Sequence, residues 1–352
     1  MKIAGIIGLC VFVPFALFFV WATYPWELSP RWEAGVIGQA KPSGAEDIER
    51  PTTLTLMSWN MAYAYGMGSE GTADYQSRDK TFYNQSLDRV AATVKLSGAD
   101  VVFLQEVDFD SSRSHNQNQL QLLAQKTGLA HWAQAKSWRT QYVPFPSWPL
   151  ERQFGGMNSG GGVLSRWPIV KNEVHLLTKP TSKAWWYNLF YLYRYFQVVT
   201  IKVNDREVKV VNLHLEAFDH ATKDNQAREL VAFAKTNKLD FIAGDFNMLP
   251  EGAMKRSGFA NPADVYWEDK SYRILKDLPL TEVVEHGAYL QKEETWFTFP
   301  SNRPDRRLDY IYHAPNWSFM GAEVFQGPHS EASDHLPIKA TFKFFEPEFI
   351  RD

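Results

Sequence analysis

Asn60, Glu106, His214, Asp245, Asn247, Asp309, Asp334 and His335 each stand at or just past the end of a short apolar run. Carboxylates and carboxamides offer oxygen ligands to a hard cation, and imidazoles move protons near neutral pH. Singly, each residue has an ordinary explanation. Asp-Phe-Asn after a strand makes a turn or a helix cap, Asp-His-Leu-Pro a loop, and Glu106 a solvated strand end. Together they form a pattern, because strand ends are where a rigid scaffold carries a site. His115, His131, His175, His220, His286, His313 and His329 lie in no motif and read as structural or surface residues.

The elements that must position the eight residues are legible as runs and stripes. Strands are expected at 54–60, 101–106, 162–165, 197–203, 208–215, 241–244, 308–313 and 338–344, all rich in Val, Ile and aromatics. Helices are expected at 82–96, 119–126 and 221–235; the first carries Phe82, Leu87, Val90, Ala91 and Val94 on one stripe and stops at Ser97-Gly98. Asn204-Asp205-Arg206 reads as a hairpin turn. Hairpins mixed with strand–helix alternation give an α/β or α+β class.

Composition sets the outer bounds. The 352 residues are 45% hydrophobic with 37 basic and 40 acidic side chains, as in globular proteins. At ~150 residues per domain the length alone suggests two domains. The single cysteine, Cys10, rules out an intramolecular disulfide, a Cys-rich zinc site and a CxxC redox pair. A net charge of −3 shows no basic excess of the kind a dedicated nucleic-acid binder carries.

Residues 3–22 are an uncharged run of 20, about 30 Å as a helix and enough for a bilayer core. Pro14 is tolerable in such a helix, and Trp21, Tyr24 and Trp26 follow where interfacial aromatics belong. The expectation is an uncleaved single-pass anchor. A cleaved signal is the alternative, but the run exceeds the usual ~7–15 residues and no A-x-A site follows. Leu9 before Cys10 does not suit a lipoprotein signal. Lys2 and the terminal amine favour a cytoplasmic N-terminus, which leaves the rest on the periplasmic or extracellular face. Residues 25–51 read as a stalk; beyond them 33 basic and 35 acidic residues remain.

Seven segments carry a resemblance. Ser58-Trp59-Asn60, Leu104-Gln105-Glu106, Ser159-Gly160-Gly161-Gly162-Val163-Leu164-Ser165-Arg166, Asn212-Leu213-His214-Leu215, Gly244-Asp245-Phe246-Asn247, Arg307-Leu308-Asp309-Tyr310-Ile311 and Ser333-Asp334-His335-Leu336-Pro337 resemble the successive motifs of the endonuclease/exonuclease/phosphatase superfamily. They occur in the family's order over residues 54–344. This family of DNase I-like, Mg-dependent phosphohydrolases includes neutral sphingomyelinase-like members. The resemblance implies a single four-layer αββα sandwich of two packed mixed sheets, with the site at one edge, and overrides the two-domain expectation. The organisation is then 1–24 anchor, 25–51 stalk, 52–346 catalytic domain and 347–352 tail.

The resemblance also implies roles. Glu106 and Asn60 match metal positions, and Asp334 joins them directly or through water. Oxygen donors without thiolates select Mg²⁺ or Mn²⁺ over zinc. Asp245 and Asn247 align the nucleophile and a non-bridging phosphate oxygen, and Asn60 and His214 also meet the substrate. His335 is a base or a phosphate-contacting imidazole oriented by Asp309; His214 contacts the phosphate or assists the leaving group. A histidine at 214 counts against an abasic-site nuclease.

The leading expectation is a membrane-anchored phosphodiesterase or phosphatase acting outside the cytoplasm on a phospholipid headgroup or another phosphate ester. A nuclease of the same superfamily is the alternative, and a catalytically inactive membrane adaptor is a third. Glycines 155–156 and 160–162 read as close backbone packing, with phosphate contact as the alternative. Arg303, Arg306 and Arg307 read as a solvated loop rather than a phosphate grip. Eight of the twelve residues from Trp185 to Phe196 are aromatic. They read either as rings packed on a sheet or as membrane-interface rings flanked by Lys183 and Arg194, which would meet anionic headgroups. Residues 138–149 are the candidate second wall of a substrate entrance.

Overall fold

Strands buried on both faces need apolar side chains at every position, and that is why the central runs are so continuous. The computed structural model describes residues 2–40, 52–66 and 76–344, the side chains of residues 2–9, 11 and 331 excepted. In β3 (Thr53–Asn60), Leu54 and Leu56 enter one core while Met57 and Trp59 enter another. In β4 (Val101–Asp108), Val101 and Phe103 join the first core, and Val102 and Leu104 the second.

With strands numbered along the chain, one sheet runs β1 (Arg31–Ala34), β7 (Ile169–Leu176), β8 (Tyr195–Val203), β9 (Arg206–His214), β10 (Phe241–Asp245), β12 (Asp309–His313), β11 (Thr281–Glu282). The other runs β13 (Ser318–Val324), β14 (Ile338–Lys343), β3, β4, β6 (Gly155–Ser165), β5 (His131–Val143), β2 (Ile37–Gln39). β3/β4 and β9/β10 are parallel and the other pairs antiparallel, so both sheets are mixed. Leu56, Phe103 and Val163 meet Val199, Val210 and Phe241 between the sheets.

Helices close the outer faces. α1 (Lys2–Ala22) precedes the sandwich. α2 (Lys80–Ser97) and α3 (Gln119–Thr127) cover Met57, Trp59, Val102 and Leu104. The short α4 (Trp185–Phe190) leads into β8, and α5 (His220–Thr236) covers Val198, Val211, Leu213 and Ile242. Local signals fix the ends: Asp79, Asn118 and Asp219 each accept a backbone N–H of the first turn, and Gly98 ends α2 in the left-handed region.

Several features depart from the sequence expectation. Residues 31–39, expected to lie in a stalk, supply an edge strand to each sheet: β1 pairs with β7 and β2 with β5. Arg31 and Arg139 share Glu27 and Glu33, and Trp32 packs on His175 and Phe196, so this segment is fastened by side chains as well. Residues 41–51 lie outside the described residues. β5, β7, β11 and β13 lie outside the expected strands; β13 is a largely exposed edge strand whose apolar residues do not alternate with polar ones. The glycine stretch serves packing: a Cβ at Gly160 would fall 1.9 Å from the Ala135 carbonyl oxygen, and one at Gly161 1.6 Å from the Tyr195 hydroxyl.

α1 spans 21 residues around Pro14. Among the described residues no helix is long and apolar enough to cross a membrane. Its C-terminal end docks on the sandwich, with Phe18 and Trp21 against Tyr142, and Phe19 against Trp185 and Phe190.

Candidate active site

The two parallel strand pairs end beside one another, one from each sheet. Asn60 closes β3 opposite Gln105, and Asp245 closes β10 between His214 of β9 and Asp309 of β12. Beneath them Gln105 donates to Asn212 at 2.7 Å, and Asn212 donates to the Leu104 and Gly162 carbonyls, locking the sheets in register. Asn60 completes the bridge: its Nδ2 donates to Glu106 at 3.1 Å and to Asp245 at 3.0 Å.

Glu106 reaches this position through a bulge. The β4/β6 register slips between Leu104 and Val107, and Glu106 itself sits at φ 54°. Bulges re-aim side chains, and a non-glycine residue in the left-handed region costs on the order of 1–3 kcal/mol. The carboxyl, crowded by burial and by the Asp334 carboxylate, has its pKa pushed up to about 7. Asp245 rises to about 6 through burial, with Asp309 adding and His335 opposing.

His335 is clamped from all sides. Its Nδ1 lies 2.8 Å from Asp309, its Nε2 3.7 Å from Asp245, and its ring packs on Phe299. Trp59 donates to its carbonyl, while Ser333 accepts its backbone N–H and donates to the Asn60 carbonyl. Burial alone would lower its pKa, but Asp309 and Asp245 hold it well above the usual histidine range.

His214 has the opposite environment. Burial, the Arg194 guanidinium and His335 hold its pKa well below normal. Arg194 Nη1 lies 2.6 Å from Nε2, and an arginine can only donate, so Nε2 is an acceptor and the ring proton sits on Nδ1. As arranged, His214 holds Arg194 and has no Nε2 proton to give a leaving group. Arg194 thereby overturns one expectation: it is buried beside His214 and Glu216 instead of facing lipid headgroups. The signal that finds it is its place directly before Tyr195, which pairs with His214.

Asn247 adopts φ 50°, its N–H bonded to Asp245 and its Nδ2 to the Leu215 carbonyl. Below it the buried Lys223 donates to the Asn247 carbonyl and pairs with Asp269 at 2.8 Å. Lys223→Met would strand the Asp269 charge, so a loss of about 3–5 kcal/mol is expected in a urea titration. A change below about 1 kcal/mol would mean that the pair is not the clamp. Arg306 and Arg307 are buried as well, contrary to a solvated loop, because Asp264 and Glu282 reach them from distant parts of the chain; Arg303 is exposed.

The donor chemistry fits a divalent metal ion. Glu106 and Asp334 form a thiolate-free carboxylate pair whose mutual repulsion a cation would relieve, and Asn60 Oδ1, which accepts the Ala62 N–H at 3.0 Å, keeps a second lone pair for such an ion. Asp245, Asp309 and His335 are a second group that could hold a metal, with ligand atoms within 4.8 Å of one another, and Asp309 Oδ1 has no hydrogen-bond partner among the described residues. An ion between Asp309 and His335 would have to replace their 2.8 Å contact.

Beside Glu106 opens a cavity of about 340 Å³, with Trp138 and Phe145 on one wall and Tyr187, Phe190 and Tyr191 on the other. These are the two aromatic stretches singled out in the sequence.

Residues 57–335 match the model of the Endonuclease/Exonuclease/phosphatase family, and the chain belongs to that family of phosphoester hydrolases, for which divalent-metal dependence is typical. It is 24% identical to the Sphingomyelinase C of Bacillus cereus over 300 residues, 73% of this chain and 82% of that one. The endonuclease/exonuclease/phosphatase from Beutenbergia cavernae superposes with a TM-score of 0.61 at 22% identity, over 84% of this chain and 72% of the other. A mannosyl-6-phosphatase of Bacteroides thetaiotaomicron superposes at 0.51 and 16% identity, over 83% of this chain and all of the other. D. rerio TDP2 complexed with single strand DNA product gives 0.53 at 17% identity, over 84% and 100%.

Proposed function

We propose that this chain is a divalent-metal-dependent phosphodiesterase, tethered to a membrane through residues 3–22 and working outside the cytoplasm. The observation that carries the chemistry is the array Asp309–His335–Asp245, which faces Glu106 across the Asn60 carboxamide. Glu106, Asp334 and Asn60 would hold the cation, which when bound would neutralise the phosphate and the charge that develops on it. Asp245 aligns a water and takes its proton as the water oxygen bonds to phosphorus and the ester P–O bond breaks on the far side, the leaving oxygen taking a proton from solvent to depart as the alcohol. Asp309 fixes the His335 ring through Nδ1, so that Nε2 points at a non-bridging oxygen. Asn247 orients the phosphate, and Arg194, anchored on His214, supports the same charge.

The Bacillus Sphingomyelinase C supports a phosphodiester substrate. Near-balanced charge, 37 basic to 40 acidic, weighs against a nuclease, and the presence of all eight motif residues weighs against an inactive adaptor. The test is turnover by the purified full chain with Mg²⁺ or Mn²⁺ on plasmid DNA, RNA, sphingomyelin, phosphoinositides and a nitrophenyl phosphodiester. Metal-dependent cleavage of diesters with nucleic acid left intact is expected. Cleavage of DNA or RNA at comparable rates would replace this reading with the nuclease.

A further inference from the structure

We infer that the cavity beside Glu106 binds an apolar chain of the substrate, so that the ester cleaved is an amphiphilic, lipid-like phosphodiester; this deepens the phosphodiesterase reading and rests on it. At about 340 Å³ the cavity is far larger than one phosphate fills.

Most of its walls present ring carbon, and several of their polar atoms are already committed. Arg113 is bound through two nitrogens to Asp108 at 3.0 Å, Tyr191 donates to Glu216 at 2.9 Å, and Trp138 Nε1 donates to the Phe190 carbonyl. What remains for a ligand among the described residues is the Glu106 carboxylate at the phosphate end, the Tyr63 and Tyr187 hydroxyls and Arg194 Nε, fewer groups than reading both a base and a sugar would take. A quaternary ammonium headgroup is disfavoured for a different reason. The Arg113 guanidinium already lies over Tyr63 and Phe154, 3.6 and 5.1 Å from their centroids, and Arg194 adds a second buried cation, so a further cation entering the cavity meets two like charges. The alkyl side of the ester therefore enters the cavity and the headgroup points away.

The mouth indicates where that chain comes from. Phe218 lines it and is 61% exposed, and Trp185 on the α4 side is 64% exposed. Phe190 lines the cavity with one face and packs against Phe19 of α1 with another, 5.6 Å between centroids, and Trp185 also touches Phe19. The cavity and the end of the N-terminal helix thus meet at Phe190, and a membrane surface tethered through that helix would lie at the opening. Large exposed apolar side chains around one opening suit contact with a membrane.

The probes are butyl, hexyl and octyl methylphosphonate monoanions, titrated calorimetrically into the full chain held in an amphipathic polymer. Affinity is expected to rise about fourfold per methylene while the chain still fits. Phe218→Asp and Tyr187→Asp, both at exposed positions, should flatten that slope without moving the melting temperature. A flat series in the wild type overturns the assignment, and so does tighter binding of a thymidyl methylphosphonate than of the octyl ester. A steep series without metal-dependent hydrolysis of nitrophenyl octyl phosphate would keep the cavity assignment and sink the phosphodiesterase reading; hydrolysis with a flat series would do the reverse.

Discussion

Glu106→Gln is expected to lower kcat/KM on a phosphodiester by about a thousandfold, the upper scale for losing one strong transition-state contact, while leaving the protein folded. The carboxamide keeps the shape and the hydrogen bond with Asn60 can be re-formed, but the charge that faces the phosphate through the cation is gone. Excess Mn²⁺ should recover part of the loss, since an amide oxygen still ligates weakly. Exhaustive EDTA treatment of the wild type should produce a similar deficit, and undiminished turnover afterwards would refute metal dependence. Stability should move the other way. Without metal, the wild type keeps Glu106 against Asp334, with burial and that neighbour both raising its pKa. Glutamine removes this repulsion, so the metal-free variant should melt above the metal-free wild type. A variant that loses activity and melting temperature together would mark Glu106 as a structural residue.

That carboxylate also shows how far the sequence reading reaches. The residue at the end of Val-Val-Phe-Leu-Gln stands out because β4 is buried on both faces, and so do Asn60, His214 and Asp245 at the ends of β3, β9 and β10. The bulge that turns Glu106 inward does not stand out, because it depends on the register between β4 and β6. Arg194 was hidden by its aromatic neighbours, which suggest a surface, whereas its partners lie on β9 and just beyond it. Arg306 and Arg307 looked solvated because their carboxylates come from Asp264, 42 residues away, and Glu282, 25 away. β1 and β2 are short, half-exposed edges whose pairing is with strands more than 90 residues further on. Continuous burial writes itself into local sequence; long-range pairing of charges and edges does not.

Asp309 and His335 should behave as one unit. The 2.8 Å contact ties Nδ1 to a completely buried carboxylate, so the shortest path from Asp309 to the substrate runs through the ring. His335→Ala is expected to cost about two to four orders of magnitude in kcat/KM, the usual range for a positioned proton-transfer or phosphate-binding group. Asp309→Asn keeps the shape but removes the charge that holds the His335 ring protonated, and should cost at least tenfold. The decisive comparison is Asp309→Ala with His335→Ala. If the carboxylate acts only through the imidazole, the double variant should be scarcely slower than His335→Ala alone, since residues acting as a unit are grossly non-additive. Fully additive losses would separate the two. Asp309 would then have its own contact with the reacting centre, which the grouping of its carboxylate with Asp245 and His335 within 4.8 Å would place at a metal ion. In that case Asp309→Ala, unlike His335→Gln, should raise the Mn²⁺ concentration needed for half-maximal activity.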